Sequence, residues 1–197
     1  MIQALLRSLG KLILNRGVGS QFGEDTFLAT ILPRKGVYVD VGCYHPHLYS
    51  NTYRLYKSGW RGTAVDPNPD MWVLWRVFRR RDTFINAAVG SGGHITYYRY
   101  SDGAYNGFEL LDKKVKDQVR IQTVSLTDII PQGKVDFLNI DAEGMDKEIL
   151  QSYDWHTSPE VIAVEGDESD ELLRGKGYHL LKKLGVTSIY SRAQQTK

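Results

Sequence analysis

A single cysteine, Cys43, stands in 197 residues, so the chain can form no internal disulfide and no multi-cysteine zinc site. One free thiol suits a reducing compartment, and a cytoplasmic location is expected. Charge of one sign is also scarce: 25 Lys+Arg against 23 Asp+Glu leave a formal charge of +2, too little for a global field that draws in nucleic acid. No nucleic-acid partner is expected, and recognition must be local. Low-complexity tracts and repeats at solenoid periods are absent. No apolar run reaches the roughly 20 residues of a membrane span, because Arg7, Gly10 and Lys11 interrupt the N-terminal candidate, and no small-residue cleavage site follows it. What remains, 42% apolar and 24% charged residues, is the composition of one soluble globular domain over 1–197.

Within residues 1–19, Ile2, Leu5, Leu6, Leu9, Leu12 and Ile13 recur at the spacing of one helical face. This amphipathic helix and turn either docks on the domain or a partner subunit, or associates weakly with a membrane surface through residues 1–16, where Arg7, Lys11 and Arg16 supply cations. The fold proper, 20–197, alternates. A helix over Thr26–Leu32 ends at Pro33, and the run VYVDV (37–41) predicts a first buried strand. A helical stretch near Ser50–Lys57 follows, then a second strand GTAVD ending at Asp66 and a helix from about Asp70 to Arg80. TFINAAV (83–89) reads as a third strand and VDFLNID (135–141) as a fourth, with a helix over Met145–Tyr153. VIAVEGD (161–167) reads as a fifth, with a helix over Glu168–Arg174. Buried strands separated by helices predict an α/β fold, a mostly parallel sheet with helices on both faces. Residues 94–126 break the alternation with an inserted β-hairpin around a polar loop that reads as a mobile flap. YHLLKKLG and VTSIYSR close the chain as a strand pair, one of them antiparallel, and AQQTK reads as a frayed tail.

In such a sheet the ligand lies outside the carboxyl ends of the strands, which directs Asp40, Gly42, Asp66, Asn86, Asp141 and Glu165 at one crevice. The first loop reads V-D-V-G-C-Y-H-P-H, without the G-x-G-x-x-G of a dinucleotide fold, and no G-x-x-x-x-G-K-[ST] occurs anywhere. An acid just before the glycine suits a cationic ligand. S-adenosylmethionine, with its α-ammonium and sulfonium, is one, and Asp40 is placed to accept hydrogen bonds from its amino acid part. Asp66 is placed to accept both ribose hydroxyls. Taken singly, either acid would serve equally well as a helix cap.

Together, SQFGED (20–25), YVDVGCYHPHLYSNT (38–52), GWRGTAVDPNP (59–69), NAAVG (86–90) and DFLNIDAEGMDKEIL (136–150) resemble, in order and spacing, the FkbM-type S-adenosylmethionine-dependent methyltransferase family. The resemblance spans about residues 20–165. It implies a Rossmann-like class I methyltransferase sheet of seven strands and methyl transfer, usually to oxygen, often on a sugar or polyketide. Carried over by position, Asp40 and Gly42 hold the methionine part, Asp66 the ribose, and Asn86 with Ala87 border the adenine. Cys43 lies among the cofactor contacts, and Ser50 and Asn51 sit where a helix start receives the cofactor carboxylate or is merely capped. The first-strand loop departs from the family's common pattern in carrying Cys43-Tyr44-His45-Pro46-His47 where smaller residues and a second glycine are usual. The short N-terminal lead is expected to leave a near-minimal catalytic unit.

A sugar hydroxyl is a poor nucleophile and must meet a base or a divalent cation. Asp141 and Glu143 close the fourth strand, and Glu165 and Asp167 the fifth, so four carboxylates are expected together. They repel one another unless one is protonated or a hard cation sits among them. Mg²⁺ or Mn²⁺ at Asp141 and Glu165 is one expectation; a base without metal, Asp141 or a histidine of the first loop (His45 or His47, which read otherwise as solvated loop histidines), is a second, and positioning alone a third. Glu143 either contacts substrate or satisfies helix donors. Arg76, Arg79, Arg80 and Arg81 read as a solvated helix end. Tyr97, Tyr98, Tyr100 and Tyr105 read equally as sugar platforms and as hairpin packing. The resulting expectation is an O-methyltransferase acting on a saccharide or glycan precursor. The alternatives are a non-catalytic cofactor- or glycan-binding module of a larger glycan-synthesis assembly, and a methyltransferase on another acceptor. NIDAEG stands where an amine methyltransferase of nucleic acid would carry Asn/Asp-Pro-Pro-aromatic.

Overall fold

The computed structural model describes residues 2–14, 17–100, 106–108 and 110–192. Of the positions singled out above, Arg16, Tyr105, the 101–105 part of the hairpin loop and the AQQTK tail lie outside these, as do the side chains of Ile2 and Leu12. The main sheet has seven strands: β1 (Val37–Val41), β2 (Arg61–Val65), β3 (Thr83–Ile85), β7 (Phe137–Ile140), β8 (Val161–Glu165), β9 (His179–Leu184) and β10 (Thr187–Ser191). Their order is β3-β2-β1-β7-β8-β10-β9, all parallel except β10, which runs antiparallel to both β8 and β9. From β1 the chain winds outward to β2 and β3, then returns to β7 on the other side of β1. That reversal opens a crevice beyond the carboxyl ends of β1 and β7.

Helices α3 (Tyr53–Lys57), α4 (Met71–Phe78), α5 (Leu126–Ile129), α6 (Asp146–Ser152) and α7 (Asp170–Gly175) connect the strands, and α1 (Ile2–Ile13) and α2 (Glu24–Ile31) precede them. The period-two alternation of β1 and β7 builds the two layers. Val39, Val41, Leu138 and Ile140 join the larger core with Ile162, Val164, Ile149 and Leu150, whereas Tyr38 and Phe137 point to the other core with Leu28, Leu55 and Trp60. Gly62 lets Tyr38 lie across β2, since a Cβ there would meet the tyrosine ring at 2.2 Å.

TFINAAV is not one strand. β3 stops at Ile85, where Asn86 turns its side chain back to donate to the Asp66 carbonyl (2.9 Å), and Ala88–Val89 (β4) pairs instead with a second sheet. That sheet, in the order β4-β6-β5, contains the expected hairpin, β5 (Gly93–Tyr100) against β6 (Val115–Val124). Tyr97 and Tyr100 are buried in it. Among the described residues no helix is long and apolar enough to cross a membrane.

Candidate functional site

A cavity of about 370 Å³ opens where β1, β2, β7 and β8 end, a size in the range of small-molecule sites. Gly42, Asn51, Asp66, Ala87, Asp141, Glu143 and Glu165 all line it. Asp40, Cys43, His45, Ser50 and Asn86 do not, and each has a local reason.

Gly42 makes the close approach possible. Its φ is +71°, and a Cβ would fall 1.7 Å from the Asp141 carbonyl oxygen, so only glycine fits between the ends of β1 and β7. The chain then crosses to β2: the amides of Gly42 and Cys43 both donate to the Val65 carbonyl, at 2.9 and 3.2 Å. Cys43 packs against Ala64 and Trp75, and burial pushes its thiol up, so it is a core residue. Tyr44 donates its amide to the Asp66 carboxylate at 2.7 Å, and the Asn68 amide donates to the other oxygen at 2.8 Å. Burial lifts Asp66 to about 6 against these two bonds. Each oxygen keeps a further acceptor direction, so the carboxylate can still receive ligand hydroxyls from the crevice.

Asp40 is sealed beneath the crevice. Thr52 donates to one of its oxygens at 2.5 Å and the Asn139 amide to the other at 3.0 Å, while burial pushes the carboxyl up. The Asn139 side-chain oxygen, Oδ1, accepts from Asn51 Nδ2 at 3.0 Å, and Asn51 is the member that reaches the cavity. Asp40 therefore acts through Asn139 and Asn51. Ser50 is buried, its amide donated to the Gly19 carbonyl at 2.9 Å and its hydroxyl 3.4 Å from that of Thr52. Asn86 spends its amide on the backbone of Asp66, supporting the crevice from outside.

His45 is corrected from base to scaffold. Its Nε2 meets the Ser8 hydroxyl at 3.0 Å, and its Nδ1 accepts the amides of His47 and Leu48 at 3.4 and 3.3 Å. Burial first, then His47 and Lys11, push it down to about 3, and both ring nitrogens are engaged outside the crevice, which His45 does not line. Of the four carboxylates expected together, Asp167 points away to Lys183 (3.1 Å), and Asp146 takes its place beside Asp141. The Asp141 carboxyl is exposed into the cavity while protein walls it on the other sides. That loss of hydration, followed by Glu165, Asp146 and Glu143, pushes it up to about 8, and its hydrogen bond to Glu165 favours one proton shared by the pair. Glu143 is raised by burial and then by Glu165. Its φ of +51° holds the turn after β7 in the left-handed region.

The donor set does not fit a resident divalent cation. Among the described residues no three His, Cys, Asp or Glu side chains gather as a metal centre, which leaves the expected Mg²⁺ or Mn²⁺ at Asp141 and Glu165 without a donor set. The residues do fit S-adenosylmethionine: Gly42 bares the backbone, Asp66 has acceptor capacity left, and Val65, Ala87 and Val89 offer an apolar wall.

Several site residues carry no role in the sequence reading. Gln21, Phe22 and Glu24 of the SQFGED motif line the cavity, and Glu24 ties this loop to β10 by accepting from the Phe22 amide (2.8 Å) and Thr187 hydroxyl (3.2 Å). Tyr44, Tyr49 and Phe108 add rings to the wall beside Tyr97, a residue the sequence offers as a sugar platform or as hairpin packing. Arg79, expected at a solvated helix end, is 1% exposed. It donates to Asp82 (2.7 Å), Tyr38 (2.5 Å), Thr52 (3.1 Å) and the Pro46 carbonyl (2.8 Å), and lies over the Trp75 ring at 4.5 Å. Through Thr52 it reaches Asp40, so a buried ion pair underpins the floor of the crevice.

A family model described as the methyltransferase FkbM domain matches residues 40–180. No curated protein matches the sequence. Among solved structures, the chain is similar to 1,6-didemethyltoxoflavin-N1-methyltransferase of Burkholderia thailandensis, solved with 1,6-didemethyltoxoflavin and S-adenosylhomocysteine (14% identity, 85% of this chain and 74% of that one, TM-score 0.49). It is also similar to a TehB-like SAM-dependent methyltransferase of Corynebacterium glutamicum (11% identity, 97% of each chain, TM-score 0.47). A third is the precorrin-6y C5,15-methyltransferase of Geobacter metallireducens (16% identity, 85% of this chain and 83% of that one, TM-score 0.46).

Proposed function

The chain belongs to the methyltransferase FkbM domain family, and from that premise we propose that it is an S-adenosylmethionine-dependent O-methyltransferase whose acceptor is a saccharide hydroxyl. The observation that carries the oxygen acceptor is the Asp141–Glu165 pair, a base poised near neutrality inside the crevice. An amine with a free lone pair does not need one, whereas a hydroxyl does.

When bound, S-adenosylmethionine supplies an electrophilic methyl group on a sulfonium. Asp66 would accept the ribose hydroxyls with the directions its two backbone partners leave open. Asn51, held by Asn139 and through it by Asp40, fixes the polar floor. Glycine at position 42 lets the ligand lie against bare backbone. An acceptor hydroxyl against Asp141 and Glu165 would give its proton to a carboxylate of that pair as its oxygen bonds the methyl carbon and the carbon–sulfur bond of the sulfonium breaks, leaving a neutral thioether. Such in-line transfer depends mainly on alignment, which these rigid strand ends provide. Tyr97 and Phe108, with carboxylates opposite, suit the two kinds of surface on a sugar, apolar C–H faces and hydroxyl edges.

The test is transfer of labelled methyl to a panel of free sugars and nucleotide-linked sugars, with wild type and Asp141→Asn. The reading predicts methyl ethers from wild type, and loss of turnover in the variant with affinity for S-adenosylhomocysteine kept. Methylation of an amine acceptor that proceeds equally in the variant would overturn it.

A further inference from the structure

Among the described side chains of helix α1 the fully buried one is polar: Ser8 is 3% exposed, with its hydroxyl 3.0 Å from His45 Nε2 and 3.3 Å from His47 Nε2. His47 Nε2 also lies 3.1 Å from the Ser8 carbonyl. Leu5, on the Ser8 side of the helix, is half-buried, whereas a stripe of large apolar side chains faces outward. Leu6, Leu9 and Ile13 are 63%, 43% and 73% exposed, and Leu14, next along the chain, is 64% exposed. The Leu6–Leu9–Ile13 stripe is therefore an unpartnered apolar face, which water alone does not favour.

Charge identifies what covers that face. No Asp or Glu precedes Glu24, while Arg7, Lys11 and Arg16 do. Arg7 and Lys11 are four residues apart and exposed, so they form a cationic edge along the Leu6–Leu9–Ile13 stripe. Two copies of this helix packed face to face would bring those cations together with no acid on the segment to answer them. An anionic lipid surface answers them directly, headgroups meeting the cations while the stripe enters the acyl boundary. The 12 residues of α1 extend about 18 Å, short of the roughly 30 Å of hydrocarbon, so the helix lies in the surface and does not cross it.

We propose that α1 is an interfacial helix that docks the protein on anionic membranes, with Leu6, Leu9 and Ile13 inserted and Arg7 and Lys11 against lipid headgroups. This docking bears on the crevice, because Ser8 grips the same β1–α3 loop whose Tyr44 amide holds Asp66. The inference stands apart from the methyl-transfer chemistry.

The experiment is co-sedimentation of the full chain with vesicles of phosphatidylcholine alone and of phosphatidylcholine mixed with phosphatidylglycerol. Binding is expected to the mixed vesicles only, to fall with added salt, and to be lost in Leu6→Ser/Leu9→Ser/Ile13→Ser. Arg7→Gln/Lys11→Gln is expected to weaken it about fivefold per cation removed. Calorimetry with S-adenosylhomocysteine and circular dichroism on both variants separate lost docking from lost fold or site. Equal pelleting with both vesicle types, or undiminished pelleting of the triple serine variant, would overturn the proposal. So would wild-type dimers that the serine variant dissociates in the absence of lipid binding, since a second copy would then be the occupant.

Discussion

Replacing Arg79 with methionine removes the cation from a buried pair whose partner cannot reach water. The Arg79 and Asp82 side chains are both 0% exposed, with Nε and Oδ2 2.7 Å apart. In Arg79→Met, Asp82 keeps only the Tyr38 hydroxyl (2.6 Å) and the Gly62 amide (3.1 Å). Stranding a buried charge in this way costs about 3–5 kcal/mol, out of a total stability of about 5–15 kcal/mol. For a domain of this size that lowers Tm by about 6–20 °C. Urea denaturation of Arg79→Met, Asp82→Asn and the double variant measures it. The double variant is expected to recover much of the loss, since no charge is left unpaired, giving a coupling of about 2 kcal/mol or more. Thr52 also loses a donor, so Asp40 and Asn51 loosen, and the folded fraction of Arg79→Met is expected to bind S-adenosylhomocysteine more weakly. A single-variant cost below about 1 kcal/mol, the value of a cation on a solvated helix end, would refute the reasoning.

Asp141 titrates far above an unfolded carboxylate, so between about pH 4 and about pH 8 the folded chain holds a proton that the unfolded chain has released, and stability falls as pH rises through that window. Asp141→Asn is expected to flatten that slope and raise Tm at pH 8 while abolishing turnover; wild-type kcat/KM should climb up to about pH 8. Thermal scans and rates across pH check both. Gly42→Ala must place a methyl against the Asp141 carbonyl at a positive φ, adding to about 1–2 kcal/mol of left-handed strain, and a Tm within about 2 °C of wild type would contradict the geometry. Tyr97→Ala is expected to raise acceptor KM severalfold with cofactor affinity unchanged, as steady-state kinetics would show.

The main-sheet strands were legible because β1, β2, β7 and β8 are short β-branched runs bounded by turn residues, a pattern set by neighbours along the chain. The acids at their ends followed from strand direction alone, and Asp66, Asp141, Glu143 and Glu165 do meet in one cavity. What stayed hidden depends on partners far along the chain. TFINAAV looks continuous until Asn86 bonds back to Asp66 and β4 pairs with β6. Arg79 is indistinguishable from Arg80 in sequence, and only the distant Tyr38, Thr52 and Pro46 draw it inward. His45 looked available because the loop gave no sign that Ser8 of α1 would cover it. SQFGED was noticed as a motif, yet its place on the cavity wall depends on Glu24 reaching Thr187 at the far end of the chain.

The most direct measurement is calorimetric titration of S-adenosylhomocysteine into wild type, Asp66→Asn and Asp141→Asn. The account predicts saturable one-site binding by wild type and by Asp141→Asn with similar affinity, and a loss of about tenfold or more in Asp66→Asn, where a ribose acceptor is weakened. No binding by wild type, or equal losses in the two variants, would contradict the assignment of Asp66 to the cofactor and Asp141 to the acceptor.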